Sequence, residues 1–510
     1  MRALNLAFFA SPFAASAVLA WLTLANPALA WLNYLIWLTT VLGAYTFVNF
    51  ASTAVRARGY ARSYVGAAPE LRVAAFVTSF NEDPSLVEGT LISVKSALGT
   101  GGDVFLLDDS TNPEVAGELR RFCEAKGIAY LHREDRRGFK AGAINDALRS
   151  LGDKYDLVAI FDADQRPRAN FFDAALPFFR DPSVAFVQVP QNYTEIASPI
   201  AMGSKYQQEP FLRIMMRGRS GTSAFSLGSG TIFRIAALRE VGLMDESSIT
   251  EDAATSVRLH SRGWRSIYYD DFLVWYGEPP RDAAAYIQQQ SRWALGYFQL
   301  MGNILRSDLG FTAFFDYVSG AFYWLKEGPL TLIEIIAPII FLSLRQPFIN
   351  VDPVVYALAY FPYFALSIGT FYLIMRGKNY GLKGFFLHQS LEYLAFTGIT
   401  AAFISYLLRR RVPFKVTPKG RGRRSLRSVI PHIIVAAALA VSIALGALWL
   451  MSARGALEYA VAINIFWAAW PLPFLLSAIA FALRVPGEPG GSSYVAPAHI
   501  FIARPPHPPR

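Results

Sequence analysis

The chain has 510 residues, a net charge of +10 and 53% hydrophobic residues, too apolar for an ordinary soluble protein of that length. Its one cysteine, Cys123, excludes an internal disulfide framework and a cysteine-based metal cluster. Its Arg and Lys residues gather beside hydrophobic segments, so the basic balance marks membrane topology and not nucleic-acid binding.

Two apolar runs open the chain, Ala7–Leu24 and Trp31–Phe50, each of about bilayer-spanning length and separated by Asn26-Pro27. The first also has the form of a signal peptide, with Arg2 ahead of it and Ala28-Leu29-Ala30 as a cleavage site. The second run, followed at once by Arg56, Arg58 and Arg62, favours an uncleaved hairpin over residues 1–50 with both ends cytoplasmic. Residues 51–306 then read as a globular domain. Apolar strands at Arg72–Thr78, Asp103–Asp108, Ile128–Leu131 and Leu157–Phe161 alternate with helices at Pro84–Ala97, Pro113–Lys126 and Ala141–Leu151. That alternation predicts a mostly parallel α/β sheet. Ligands of such sheets sit beyond the carboxyl ends of the strands. Ser79-Phe80-Asn81-Glu82, Asp108-Asp109 and Asp162-Ala163-Asp164 all fall there.

Residues 307–484 return to a membrane pattern. Phe311 to Trp324 is aromatic and amphipathic, as in helices lying at the interface. Leu330–Leu344, Pro353–Met375, Val429–Met451 and Tyr459–Leu483 read as four spans. Phe385–Leu408 is flanked by basic residues on both sides and carries His388, Gln389 and Glu392, which predicts an interfacial helix returning the chain to the cytoplasm. The expected result is a multi-pass protein of the cytoplasmic membrane with about six spans. Its globular domain and both termini face the cytoplasm. Residues 485–510, rich in Pro and Gly, read as a disordered tail.

The polar clusters each admit two readings. Asp162-Ala163-Asp164 is either a solvated loop or a pair of carboxylates holding Mg²⁺ or Mn²⁺ with a nucleotide diphosphate. Asp108 and Asp109 either cap the helix near Pro113 or, with Ser79 and Glu82, hydrogen-bond a uracil and ribose. Lys140 is a candidate phosphate or base-edge contact, because a merely structural lysine near a helix start is mildly unfavourable. Glu251 and Asp252 are either first-turn acids of a helix capped by Thr250, or Asp252 is a general base. As a base it takes the proton of an acceptor hydroxyl attacking an anomeric carbon. A metal at Asp164 together with Arg292 then steadies the leaving group. Trp293 stacks on a sugar ring or anchors the chain at the membrane interface.

The order Asn81-Glu82, Asp108-Asp109, Lys140-Ala141-Gly142, Asp162-x-Asp164, Thr250-Glu251-Asp252 and Gln289-x-x-Arg292-Trp293 resembles the processive family 2 glycosyltransferases, nearest to the cellulose synthases. The likeness covers roughly residues 70–300. A further likeness lies at residues 412–420, where Phe414, Val416, Thr417 and Lys419 resemble the gating loop of cellulose synthases.

The resemblance implies a GT-A fold set between transmembrane segments, binding a UDP-sugar with Mg²⁺ or Mn²⁺. It implies uridine at Ser79, Glu82 and Asp109, diphosphate and metal at Asp162 and Asp164, and Asp252 as base with Glu251 beside it. Gln289, Arg292 and Trp293 are then expected at the diphosphate and the acceptor end of a growing polysaccharide, with membrane lipid around the spans and a periplasmic or export subunit as a candidate partner. Two departures stand out. Gln290 replaces the first Arg of a Gln-Arg-x-Arg-Trp motif, as in hyaluronan-type enzymes, and Phe225-Ser226-Leu227-Gly228-Ser229-Gly230 replaces a Phe-Phe-Cys-Gly-Ser pattern. Residues after 484 leave no room for a cyclic-di-GMP receptor domain, so regulation in cis by that nucleotide is not expected. The leading expectation is a β-glucan synthase using UDP-glucose. The alternatives are a non-processive transferase acting on a lipid carrier, and a polysaccharide transporter or scaffold with an inactive sugar-binding domain.

Overall fold

A computed structural model describes residues 17, 30–60, 68–193, 198–276, 279–280, 282–346, 352–376, 380–410 and 426–484. The expected span Ala7–Leu24 (Ala17 apart), the loop at 412–420 and the tail at 485–510 lie outside them.

The predicted strands form within a residue or two: β1 (Val73–Ser79), β2 (Gly102–Asp108), β3 (Ala129–His132) and β4 (Leu157–Asp162). Helices Pro84–Leu98, Pro113–Lys126 and Phe139–Leu151 connect them. The Asp83 and Asn112 side chains accept from Ser85 N at 2.9 Å and Glu114 N at 3.0 Å, with Pro at the first helical position in both helices. The helix at Pro113 is therefore capped by Asn112, which leaves Asp108 and Asp109 for another role. Six more strands follow: β5 (Arg166–Pro167), β6 (Val184–Gln188), β7 (Asn192–Tyr193), β8 (Thr231–Arg234), β9 (Arg265–Tyr268) and β10 (Val274–Tyr276). The main sheet has seven strands in the order β3-β2-β1-β4-β8-β6-β9, with β8 antiparallel to both neighbours. β5, β10 and β7 form a small second sheet.

Val73 to Val77 and Leu157 to Phe161 have no exposed surface, the signature of strands covered on both faces. Val87, Leu91 and Val94 pack against one face, Ile144, Leu148 and Leu259 against the other. The parallel register sets Ser79 opposite Asp108, Thr78 opposite Asp162 and Asp108 opposite His132. The polar residues of three strands thus meet at one edge.

Among the described residues six helical stretches are long and apolar enough to cross a membrane: Tyr34–Arg58, Phe311–Leu344, Pro353–Met375, Gly381–Leu407, Leu426–Leu450 and Ala456–Leu483. Two differ from expectation. Phe311 to Leu344 is one continuous helix, not an interfacial segment followed by a short span, because a π turn over Lys326–Leu330 takes up Pro329 without breaking it. Gly381–Leu407, expected at the interface, also meets the length and hydropathy of a span. It packs on the domain helices Pro199–Pro210 and Ala283–Arg306, and a Cβ on Gly398 would stand 2.4 Å from Ile287 Cγ2 and Ser291 Oγ.

The domain is fastened to these helices by buried polar groups. Asp316, with no exposed surface, pairs with Arg56 at 2.6 and 2.8 Å and accepts from Asn49 Nδ2 at 2.9 Å and Ser223 Oγ at 2.5 Å. Arg219, 1% exposed, donates to the Asp316 backbone oxygen at 2.9 Å and to Ser319 Oγ at 3.0 Å. Next to this network, His260 bridges Tyr317 OH at 2.8 Å and Ser266 Oγ at 2.9 Å. Burial pushes His260 down to about 4, so it is neutral in the folded protein at neutral pH. An unfolded chain's histidine takes its proton near pH 6.5. The stabilisation is therefore complete above that pH, and about 3 kcal/mol is lost as pH falls towards 4. Denaturation in detergent at stepped pH should show this acid limb, and His260→Gln should flatten it.

Candidate active site

Ser79, at the end of β1, is buried, and its Oγ has no hydrogen-bond partner among the described residues. An orphaned buried hydroxyl costs free energy that a ligand or water would recover. Asn81 takes a left-handed φ of 51°, and its Oδ1 accepts from Thr111 N at 2.9 Å and Asn112 N at 3.0 Å. It stitches the β1 end to the β2 end beside the half-buried Glu82.

The two acids after β2 separate. Asp108 is wholly buried and accepts from Ser110 N at 3.1 Å, Ser110 Oγ at 2.6 Å and Tyr130 OH at 2.8 Å. It props the loop. Asp109 is held by two bonds from Arg133, at 2.9 and 2.6 Å. For Asp109 to meet a nucleoside, Arg133 has to move aside.

Lys140 reaches across from the helix Phe139–Leu151. Its Nζ lies 2.5 Å from Asp162 Oδ1 and 2.6 Å from the Gly228 oxygen. Burial alone would push this ammonium down, but Asp162, and beyond it Glu251 and Asp252, hold it above its ordinary value. Lys140 is therefore a cation held in the field of three acids, Asp162, Glu251 and Asp252, and bonded to the first of them. Asp164 lies further along the loop, where its charge acts on the Tyr193 hydroxyl.

Glu251 and Asp252 begin the helix Glu251–Ser261, and Thr250 occupies the cap position without making a side-chain cap bond. Thr250 instead packs on the helix Ala283–Arg306: a Cβ on Gly296 would fall 2.4 Å from Thr250 Cγ2. Burial raises both carboxyls of the acidic pair. Asp252, raised by burial and then by the charge of Glu251, is pushed up to about 7. Lys140 and Arg292 pull Glu251 the other way. A carboxyl poised near neutrality can accept and return a proton at physiological pH.

Gly228 closes over Asp252. Its φ is +81°, and a Cβ there would stand 3.1 Å from Asp252 Oδ2. Gly228→Ala should therefore strain the loop and displace the carboxylate, costing activity roughly tenfold to a hundredfold with only a small loss of thermal stability. Steady-state rates and melting curves of the two proteins check this.

A cavity of ≈ 680 Å³ opens against Asp252, Gln290 and Trp293. It passes Tyr323 and Glu327 and extends between the membrane helices to Tyr360 and Trp467. Gln289 and Gln290 are both buried, and Gln289 lies within hydrogen-bonding reach of Tyr193, whose hydroxyl accepts from Gln208 Nε2 at 2.8 Å. The structure thus gathers Lys140, Asp162, Glu251 and Asp252 at one point, with Trp293 on the cavity wall. Phe414, Val416, Thr417 and Lys419 lie outside the described residues.

Sequence reasoning missed Gln188. Its Nε2 donates to the Val189 and Ser229 oxygens at 2.7 and 2.9 Å, and its Oε1 accepts from Leu227 N at 2.7 Å. It fixes the loop that carries Gly228. A glutamine ending an otherwise apolar strand was the available signal.

A sequence profile described as "Glycosyltransferase like family 2" matches residues 69–296. The chain is 28% identical over 80% of its length to Cellulose synthase 2 of Novacetimonas hansenii, and 27% identical over 79% to the Cellulose synthase 1 catalytic subunit [UDP-forming] of Komagataeibacter xylinus. It spans 26% and 55% of the length of these two relatives. Over 39% of the chain it is 32% identical to Probable glucomannan 4-beta-mannosyltransferase 3 of Oryza sativa subsp. japonica, of which it spans 38%. The fold matches a mannosyltransferase of Pyrobaculum calidifontis, solved with GDP-Man and Mn²⁺, at a TM-score of 0.51 and 18% identity over 74% of this chain and all of that one. Residues 69–296 thus match a family 2 glycosyltransferase-like model and carry a GT-A fold, set among helices long and apolar enough to cross a membrane, in a chain that resembles the cellulose synthases.

Proposed function

We propose that this chain is an inverting, processive β-glycosyltransferase that builds a polysaccharide from a UDP-sugar, UDP-glucose giving a β-glucan, and passes it out through its own membrane helices. One observation carries this reading. Asp252 stands at the mouth of a cavity that continues between the membrane helices, so a chain extended at Asp252 has a path away from it.

The acceptor hydroxyl gives its proton to the Asp252 carboxylate as its oxygen bonds to the donor's anomeric carbon. The bond from that carbon to the diphosphate breaks, and the electron pair leaves with UDP. Lys140 and Arg292 meet the negative charge on the departing diphosphate. Ser79, Glu82 and Asp109 receive the uridine, the last once Arg133 releases it. Trp293 and Gln289 hold the acceptor end. The reading puts the UDP-sugar, and with it the domain, on the cytoplasmic side of the membrane.

Among the described residues no three His, Cys, Asp or Glu side chains gather as a metal site. Asp162 and Asp164 offer two carboxylates to an ion that takes its other ligands from phosphate and water, as Mg²⁺ and Mn²⁺ do, once Lys140 Nζ, 2.5 Å from Asp162 Oδ1, gives that oxygen up. When bound, that ion neutralises charge on the diphosphate.

Purified protein incubated with single UDP-sugars and Mg²⁺ or Mn²⁺ tests the reading. Polymer cut by one linkage-specific glycosidase supports it. A short lipid-linked sugar as the product points to the carrier-lipid transferase instead.

A further inference from the structure

We propose that the loop at residues 226–231 sets the spacing between the base Asp252 and the diphosphate carboxylate Asp162, with Gln188 and Ser229 as the positioning residues that hold it. This rests on the transferase reading above and adds to it two side chains that act through other groups.

Three positions of the loop each engage a different part of the site. Ser226 N donates to Ser256 Oγ at 2.9 Å, and Ser256 Oγ donates to the Asp252 backbone oxygen at 2.8 Å, which ties the loop to the helix carrying the base. The Gly228 oxygen accepts from Lys140 Nζ at 2.6 Å, while a Cβ on Gly228 would stand 3.1 Å from Asp252 Oδ2. Ser229 Oγ accepts from Asp162 N at 2.8 Å and donates to Gln165 Oε1, so it fastens the turn that follows β4. Base, cation and diphosphate carboxylate are thus all referred to residues 226–229.

Gln188 holds that stretch in place. It ends β6 with no exposed surface. Its Nε2 donates to the Val189 and Ser229 oxygens at 2.7 and 2.9 Å, and its Oε1 accepts from Leu227 N at 2.7 Å and from Thr231 Oγ1 at 2.5 Å, which uses both ends of the amide. With the Thr231 hydroxyl given to Gln188, the Ser226 hydroxyl, 3.1 Å away, is left to donate to Thr231 and to accept from Gly228 N at 3.1 Å. One hydrogen-bond direction therefore runs from Gly228 to Gln188. Ser226, Ser229, Thr231 and Ser256 have no exposed surface either. Matched apolar side chains could fill such a space at little cost in stability. What the polar ones add is a single fixed geometry. The Asp162 amide hangs on the Ser229 side chain, so a shift of Ser229 moves that carboxylate relative to Asp252.

In transfer, the acceptor hydroxyl has to lie between Asp252 and an anomeric carbon whose position follows the diphosphate. Misplacement by about 1 Å costs about a hundredfold. A sugar hydroxyl held by Trp293 and Gln289 cannot follow such a shift, but a water molecule can. The water oxygen then bonds to the anomeric carbon, its proton passes to Asp252, and the electron pair leaves with UDP, giving free sugar. A loosened loop therefore lowers transfer more than hydrolysis.

Full-length protein in nanodiscs is given the labelled UDP-sugar that the wild type turns over. Transfer product, free sugar and UDP affinity are measured for the wild type, Ser229→Ala and Gln188→Leu. Transfer by both variants should fall about tenfold to a hundredfold, and the ratio of free sugar to transfer product should rise about tenfold. UDP affinity should stay within about threefold. A merely structural role would lower both products together, in step with the folded fraction read from melting curves, and leave their ratio at the wild-type value. Ser229→Ala removes one atom and decides the matter if Gln188→Leu does not fold. An unchanged ratio, or a large loss of UDP affinity, would overturn the inference alone. No UDP release by the wild type from any donor would overturn the transferase reading and the inference with it.

Discussion

Asp252→Asn lowers the rate of UDP release by about 10²–10⁴-fold, the usual worth of a positioned general base, while affinity for UDP stays within about threefold. The substitution is nearly isosteric and keeps an oxygen for the Ala253 N–H, which Asp252 Oδ1 accepts at 2.7 Å. It removes only the capacity to take a proton. The wild-type rate should also depend on pH in a defined sense. Burial and the neighbouring Glu251 push Asp252 up to about 7, so the free carboxylate is lost as pH falls through that value. Activity should rise with pH across this range, and the asparagine protein should lose the limb together with the activity. A coupled assay for UDP over stepped pH, with calorimetric UDP titration of both proteins, measures the two effects separately. A mutant rate near that of the wild type would move the base elsewhere.

Asp316→Ala should cost about 3–5 kcal/mol, the range for breaking one side of a buried ion pair. The reason is what it leaves behind. Arg219 is 1% exposed and Asn49 and Ser223 are fully buried, so none of them can turn to water when the carboxylate is gone. Arg56, partly exposed, loses a two-bond partner. Asp316→Asn keeps the shape and some bonds but removes the charge, and it should lie between the alanine protein and the wild type. Replacing Asp316 and Arg219 together with Leu and Met removes both buried charges and should cost less than the alanine substitution alone. Thermal inactivation in one detergent, with all four proteins side by side, ranks them. Equal stability of Asp316→Ala and wild type would mean that the network does not join the domain to its membrane helices.

The sheet was readable because strand and helix runs alternate cleanly from Arg72 to Phe161, and each strand's last polar residue marks the ligand edge. What Asp108 does was not readable. A strand-end acid reads the same whether it faces a cleft or turns inward, and only the positions of Ser110 and Tyr130 decide. Arg133, 24 residues from Asp109, gives no sign in sequence that it will occupy that carboxylate. Arg56 was legible only as a basic flank of a membrane helix. Its partner Asp316 is 260 residues away, in a stretch that reads as aromatic interface. In sequence the charged Lys326-Glu327 and Pro329 read as a break between two helices, yet a π turn carries the helix through them. The acidic pair at Asp252 was legible from its motif; the cavity leading away from it needed the packing of five distant helices.

The most direct measurement is an experimental map of the full-length protein trapped during synthesis with a UDP-sugar. The account predicts a glycan whose last unit lies within hydrogen-bonding distance of Asp252, running past Trp293 and Glu327 towards Trp467. A chain leaving by another route, or a single sugar held on a lipid at Asp252, would contradict it.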